Sequence, residues 1–166
     1  MNIRLALPQD LDEVFQLYAD ARLQLREQGI FQWPDDYPSP QTVFVDIERE
    51  ELYVLEKDQH IYGAICLNER QDEQYSLVSW RLNDDNPLVI HRMVIAPASQ
   101  GGGLAQQLMD FTEQHAFDHG YSSIRLDAYT GHERSRRFYE RRGYVNRGEV
   151  YFAKRELPFW CFELEL

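Results

Sequence analysis

Cysteine is scarce in this chain. Cys66 and Cys161 are the only two among 166 residues, each in an apolar stretch with no C-x-x-C or histidine spacing around it. That argues against a disulfide scaffold or a zinc site, so buried free thiols and no metal are expected. Apolar runs of membrane-spanning length are also lacking, and Asp10, Asp12 and Glu13 interrupt the start too early for a secretory signal. A cytoplasmic protein with no membrane partner is the resulting expectation. Basic charge is in deficit: 17 Lys and Arg stand against 28 Asp and Glu, a formal net charge of -11. A duplex-binding surface needs the opposite sign, so nucleic acid is not expected as a partner. An acidic field suits a cationic acceptor such as an amine, and it equally suits plain solubility. Internal repeats, low-complexity tracts and linkers are absent. With 43% hydrophobic residues, the chain is expected to form one domain over residues 1–166.

Two familiar phosphate-binding patterns are missing as well. No Lys-Ser or Lys-Thr follows Gly103, which removes the P-loop, and Gln106 stands where the dinucleotide fingerprint needs its last glycine. What is present is Leu88-Val-Ile-His-Arg-Met-Val-Ile-Ala-Pro97 followed by Ser99-Gln-Gly-Gly-Gly-Leu-Ala-Gln-Gln-Leu-Met109. A β-branched run stops at a proline, and a triple glycine opens an amphipathic helix. This is a strand, a turn and a helix N-terminus, which presents free amides to an anion. The alternative is a turn that only links a core strand to a core helix.

Elsewhere the pattern predicts a strand over Asn2 to Ala6 and a helix opened by Pro8, with Val14, Leu17, Tyr18, Ala21 and Leu25 inward and a stop at Gly29. The three prolines between Phe31 and Pro40 forbid regular structure. A short helix over Gln41 to Arg49, strands at Leu52 to Glu56 and Ile61 to Asn68, one more short strand at Ser76 to Trp80, and a turn at Asn83 to Asn86 follow. Beyond Pro87 the order is strand, helix (Leu104 to Asp118), strand (Ser123 to Ala128), helix, strand, with a last strand at Phe159 to Leu164. That order implies an α/β fold: a mixed sheet with helices on both faces.

Gln100-x-x-Gly103-x-Ala105 resembles the Q/R-x-x-G-x-G/A signature of the GNAT superfamily of N-acetyltransferases. The later segment is similar too: Leu126 and Asp127 end a strand, and Ser135, Tyr139, Glu140, Gly143 and Tyr144 fall at matching positions or close substitutes. The resemblance runs from about Ile3 to the end. It implies a mostly antiparallel twisted sheet whose central strands, those of Met93 and Leu126, splay to admit acetyl-coenzyme A. Backbone groups of Met93, Val94 and Ile95 would then pair with the pantetheine arm. Gln100, Gly101, Gly102, Gly103, Leu104 and Ala105 would hold the pyrophosphate, and His132, Ser135 and Arg137 would complete the cofactor site. Tyr139 would face the thioester sulfur, and amides near Val94 or Ile95 would meet the oxyanion.

His91 lies two residues before Met93, so in a regular strand both side chains point the same way. With an ordinary pKa near 6.5, His91 is a candidate general base; a histidine bonded to a neighbouring carbonyl is the alternative. Two positions depart from the family pattern. Gly102 stands where a cation is common, and His132 stands where asparagine is common, so remote groups such as Arg134, Arg136 or Arg137 would have to assist and cofactor affinity should be weaker. Trp33, Tyr37, Trp80, Tyr129 and Tyr151 are candidates for an aromatic cage around an ammonium-bearing substrate, though aromatics also fill cores. The expected activity is acetyl transfer to a primary amine, on a small molecule or peptide, by direct attack in a ternary complex. A non-catalytic acyl-coenzyme A binding or sensing module is the alternative, and a homodimer is common in the family.

Overall fold

The computed structural model describes residues 1–82 and 86–166. Seven strands form one sheet: β1 (Asn2–Leu5), β2 (Leu52–Lys57), β3 (His60–Asn68), β4 (Pro87–Ile95), β5 (Ser123–Tyr129), β6 (Val145–Val150) and β7 (Phe159–Glu165), in the order β1-β2-β3-β4-β5-β7-β6. Among the described residues only β4 and β5 pair in parallel; every other neighbour pair is antiparallel. Four helices among the described residues cover the two faces: α1 (Leu11–Glu27), α2 (Pro40–Glu48), α3 (Leu104–Asp118) and α4 (Glu133–Arg141). Helix α1 buries Val14, Leu17, Tyr18 and Ala21 as expected, leaves Leu25 half-buried, and stops at Gly29, whose left-handed φ of +77° favours glycine. Ser39 caps α2 by accepting the Thr42 N–H at 3.1 Å, with Pro40 in the first turn.

Two apolar layers sandwich the sheet. Leu104, Leu108, Met109 and Ala116 of α3 and Tyr139 of α4 pack on Leu88, Ile90, Ile124 and Leu126. On the opposite face Val14, Leu17, Tyr18, Val43 and Ile47 from α1 and α2 pack on Val54, Ala64 and Val94. No helix among the described residues is long and apolar enough to cross a membrane.

The strand expected at Ser76 to Trp80 is not formed. A 3-10 turn spans Glu73–Leu77 instead, capped by Asp72, whose carboxylate accepts the Gln74 N–H at 2.9 Å. Tertiary anchors outweigh the local alternation here. The Tyr75 hydroxyl donates to Asp127 at 2.7 Å, and the Arg125 guanidinium lies 4.4 Å from the centroid of the Trp80 ring. Arg125 also donates to Gln71 at 2.7 Å and sits beside the fully buried Glu163. This strap therefore runs across β5 and carries Asp72 and Tyr75 to one spot. Of the turn expected at Asn83 to Asn86, Asn83 to Asp85 lie outside the described residues.

Candidate active site

The sheet comes apart at its centre. Pairing of β4 with β5 runs from Pro87↔Ser123 to Ile90↔Leu126 and ends there, while β4 continues to Ile95 and β5 stays on β7 to Tyr129. A bulge drives β4 away: Cys66 faces His91 and Ala64 faces Val94, so Arg92 and Met93 together oppose Ile65. Arg92 is the extra residue, with φ +48°. The Tyr18 hydroxyl donates to its carbonyl at 2.8 Å, and its guanidinium reaches Asp46 and the Tyr37 hydroxyl. These contacts hold a conformation that non-glycine residues seldom adopt.

The bulge overturns the expected pairing of His91 with Met93. Ile90, Met93 and Ile95 pack in one layer and Val94 in the other, so alternation leaves His91 on the face opposite Met93. His91 Nε2 lies 2.9 Å from Asn68 Oδ1 and 3.1 Å from the Arg70 carbonyl. Both are acceptors, since Asn68 Oδ1 takes the Arg70 N–H at 2.8 Å, so Nε2 carries the proton. Burial lowers the His91 pKa to about 4, with Arg92 and Arg70 adding to the shift. It remains on the wall of the site, as a neutral and weakly basic imidazole.

Two cavities flank the split and meet at its edge. The first, about 520 Å³, is lined by Met93, Val94, Ile95, Gln100, Gly101, Gly103, Leu104 and Ala105 on one side and by Arg134, Ser135 and Phe138 on the other. The second, about 740 Å³, lies across the sheet and is lined by Trp33, Tyr37, Asp72, His91, Asp127, Tyr129 and Arg155 among others. Met93, His132, Ser135 and Tyr139, with Gln32 and Trp33, border both.

Local sequence builds the first cavity. The first amide of α3 bonded back along the chain is that of Gln107, to the Gly103 carbonyl at 3.1 Å, so those of Leu104 to Gln106 are left at the helix N-terminus. Gly101 and Gly103 take φ of +84° and +80°, which turns the loop tightly enough to leave its backbone open. Gln100 ties the loop down by donating to Gln24 at 2.9 Å. These features suit an extended anion-bearing ligand such as acetyl-coenzyme A: strand edge for an amide arm, bare amides for phosphates. Gly103→Val sets the new Cβ in ordinary van der Waals contact with Gln106 Oε1 at 3.9 Å but inherits the left-handed φ, which costs a β-branched residue about 1–3 kcal/mol. Its expected effect is an acetyl-coenzyme A affinity weakened at least about tenfold, read by calorimetry.

Some expected residues fall elsewhere. Gly102 does not line the cavity. Arg137 turns away to pair with Glu133, because positions 134, 135, 138 and 139 form the inner face of α4; Arg134 lines the cavity in its place. Trp80 is packed between Tyr75 and Arg125 and borders neither cavity, whereas Trp33, Tyr37 and Tyr129 line the second. Tyr151 is exposed and lines neither. Asp46, Glu51 and Cys66 have ligand-like spacing, but Arg92 and Arg70 occupy both carboxylates and burial pushes the thiol pKa up to about 12.

Tyr139 is buried and borders both cavities, and its hydroxyl takes no protein partner among the described residues. Burial, with Asp127 adding, holds its pKa above the ordinary tyrosine value, so it remains a donor at neutral pH. The residue that sequence reasoning missed is Asp127, noted only as part of a strand-end motif. Its position just past the last paired residues, Ile90 and Leu126, puts its carboxylate in the second cavity. Burial raises its pKa to about 6; the Tyr75 hydrogen bond opposes the shift and Asp72 adds to it.

The sheet is thus split at its middle, with an amide-rich helix start on one side and a polar chamber on the other. The chain belongs to the acetyltransferase (GNAT) family, whose model matches residues 11–144. Its fold is shared by solved structures. A GNAT-family acetyltransferase from Streptococcus agalactiae is 23% identical with a TM-score of 0.85, over 99% of this chain and 95% of that one. One from Listeria monocytogenes is 24% identical with a TM-score of 0.79, over 99% and 94%. A protein from Salmonella typhimurium, solved with its cofactor acetyl-CoA, is 16% identical with a TM-score of 0.74, over 99% and 93%. No curated protein matches the sequence.

Proposed function

We propose that this protein transfers the acetyl group of acetyl-coenzyme A to a primary amine by direct attack, with both substrates bound at once. The observation that carries this reading is the meeting of the two cavities at Met93 and Tyr139, which would bring a thioester from one side and an amine from the other into contact. Acetyl-coenzyme A supplies an activated acyl group. In this reading the amides of Leu104 to Gln106 bind its phosphates, with Arg134 as the nearby cation, and the edge of β4 from Met93 to Ile95 orients its arm. As the C–N bond forms and the C–S bond breaks, Asp127 accepts the proton lost by the amine nitrogen, directly or through a water, and Tyr139 donates a hydrogen bond to the departing sulfur.

Asp127 replaces His91 as the assigned base. A carboxyl with a pKa of about 6 is ionised at pH 7 and protonated below 6, and only the ionised form accepts a proton. The acid limb of kcat/KM, measured by thiol release, is therefore expected to rise through about pH 6. A limb centred near 4 would return the role to His91. A cytoplasmic location, on the early acidic residues and the lack of a long apolar run, and a homodimer, on family resemblance, remain part of the proposal; the molar mass in solution by light scattering tests the latter.

A further inference from the structure

Although the chain is strongly acidic, the acceptor cavity is not. Four cations line it, Arg70, Arg92, Lys154 and Arg155, and three of them are paired. Arg70 is held by both oxygens of Glu51, Arg92 by Asp46, and Lys154 approaches Asp36 at 3.5 Å. Arg155 has no carboxylate partner among the described residues. Its Nε donates to the Gln32 carbonyl at 3.1 Å and one terminal nitrogen to the Ala153 carbonyl at 2.8 Å, which fixes the guanidinium against the wall. It lies 5.7 Å from the Tyr37 ring centroid, with Arg92 at 5.8 Å from the same ring. The remaining terminal nitrogen has no protein acceptor among the described residues. The cavity also holds two carboxylates outside any ion pair, Asp127 and Asp72, the first bonded to Tyr75 and the second to the Gln74 amide.

An anchored, unpaired guanidinium and an unpaired carboxylate in one chamber complement a ligand bearing both charges. Resting on the acetyl-transfer reading, we propose that the acceptor is a small amine that also carries a carboxylate, of the free amino-acid type. Its amine lies towards Asp127 and the split in the sheet, and its carboxylate lies on Arg155. A purely cationic polyamine leaves the guanidinium unanswered and adds a repulsion, and so does a peptide amino terminus without a nearby acid group.

Matched probes test this: amino acids, their amides and the corresponding decarboxylated amines, each assayed by thiol release at saturating acetyl-coenzyme A. The free amino acids are expected to be favoured at least about tenfold in kcat/KM, which is about 1.4 kcal/mol. In Arg155→Gln that ratio falls to near one through a raised KM for the amino acid, and Arg155→Lys restores part of it. A binding arm needs no turnover: N-acetyl amino acids and their amides are titrated into the protein saturated with coenzyme A. Tighter binding of the acids, lost in Arg155→Gln, supports the proposal. Equal binding, no binding of either, or preference for the uncharged partners overturns it. If acetyl-coenzyme A binds normally in that experiment, only the acceptor assignment fails; if it does not bind, the acetyl-transfer reading fails first.

Discussion

Asp127→Asn is expected to lower kcat about a hundredfold or more, in the range that general-base removal costs, while acetyl-coenzyme A affinity is retained. The substitution keeps size and the Tyr75 hydrogen bond, because the amide oxygen can still accept from that hydroxyl at 2.7 Å. What it removes is the ionised oxygen that faces the acceptor cavity. The same variant should lose the acid limb near pH 6, leaving only the ionisation of the amine itself. It also ends the penalty for burying a charge, since the raised pKa means that folding favours the protonated acid and that stability is lost as pH rises from about 3.8 through about 6. Asp127→Asn is therefore expected to be no less stable than the parent at pH 7, so that a fall in turnover cannot be traced to unfolding. Unchanged kcat would remove Asp127 from the chemistry.

Tyr139→Phe is the second large effect. The ring packs against Tyr144 and Phe162, with centroids 5.8 and 5.9 Å away, and phenylalanine keeps that packing. Only the hydroxyl goes, and it takes no protein partner among the described residues, so no bond within the protein is broken. A fall in kcat of about a hundredfold with an unchanged melting temperature is expected, read by thiol release beside thermal unfolding. Equal loss of stability and activity would mark the tyrosine as a packing residue.

The order of elements was legible because periodicity and turn chemistry are local. The α3 helix, the triple glycine before it and the strands on either side follow from patterns spanning a dozen residues. The site was legible in part. Gln100, Gly103 and Tyr139 sit in a spaced motif and line the cavity beside the split. What failed did so through contacts distant in the chain. The bulge at Arg92, held by Tyr18 and Asp46, inverts the face of everything beyond it, and no local pattern announces it. Trp80 was misplaced for a similar reason, because Arg125 and Tyr75 draw its segment out of the strand conformation its residues favour. Asp127 and Arg155 come from β5 and the segment before β7, and only the folded sheet brings them to one chamber. Arg134 and Arg137 are i, i+3 neighbours, so helical spacing alone does not separate them; the pairing of Arg137 with Glu133 leaves Arg134 to line the cavity.

The split in the sheet is proposed as an acetyl-coenzyme A site. Calorimetric titration of the purified protein with acetyl-coenzyme A, run beside Gly103→Val, tests it most directly. Saturable binding at a single site, weakened at least about tenfold in the variant, is the predicted result. Absence of binding up to millimolar ligand, or equal binding by both proteins, would contradict it.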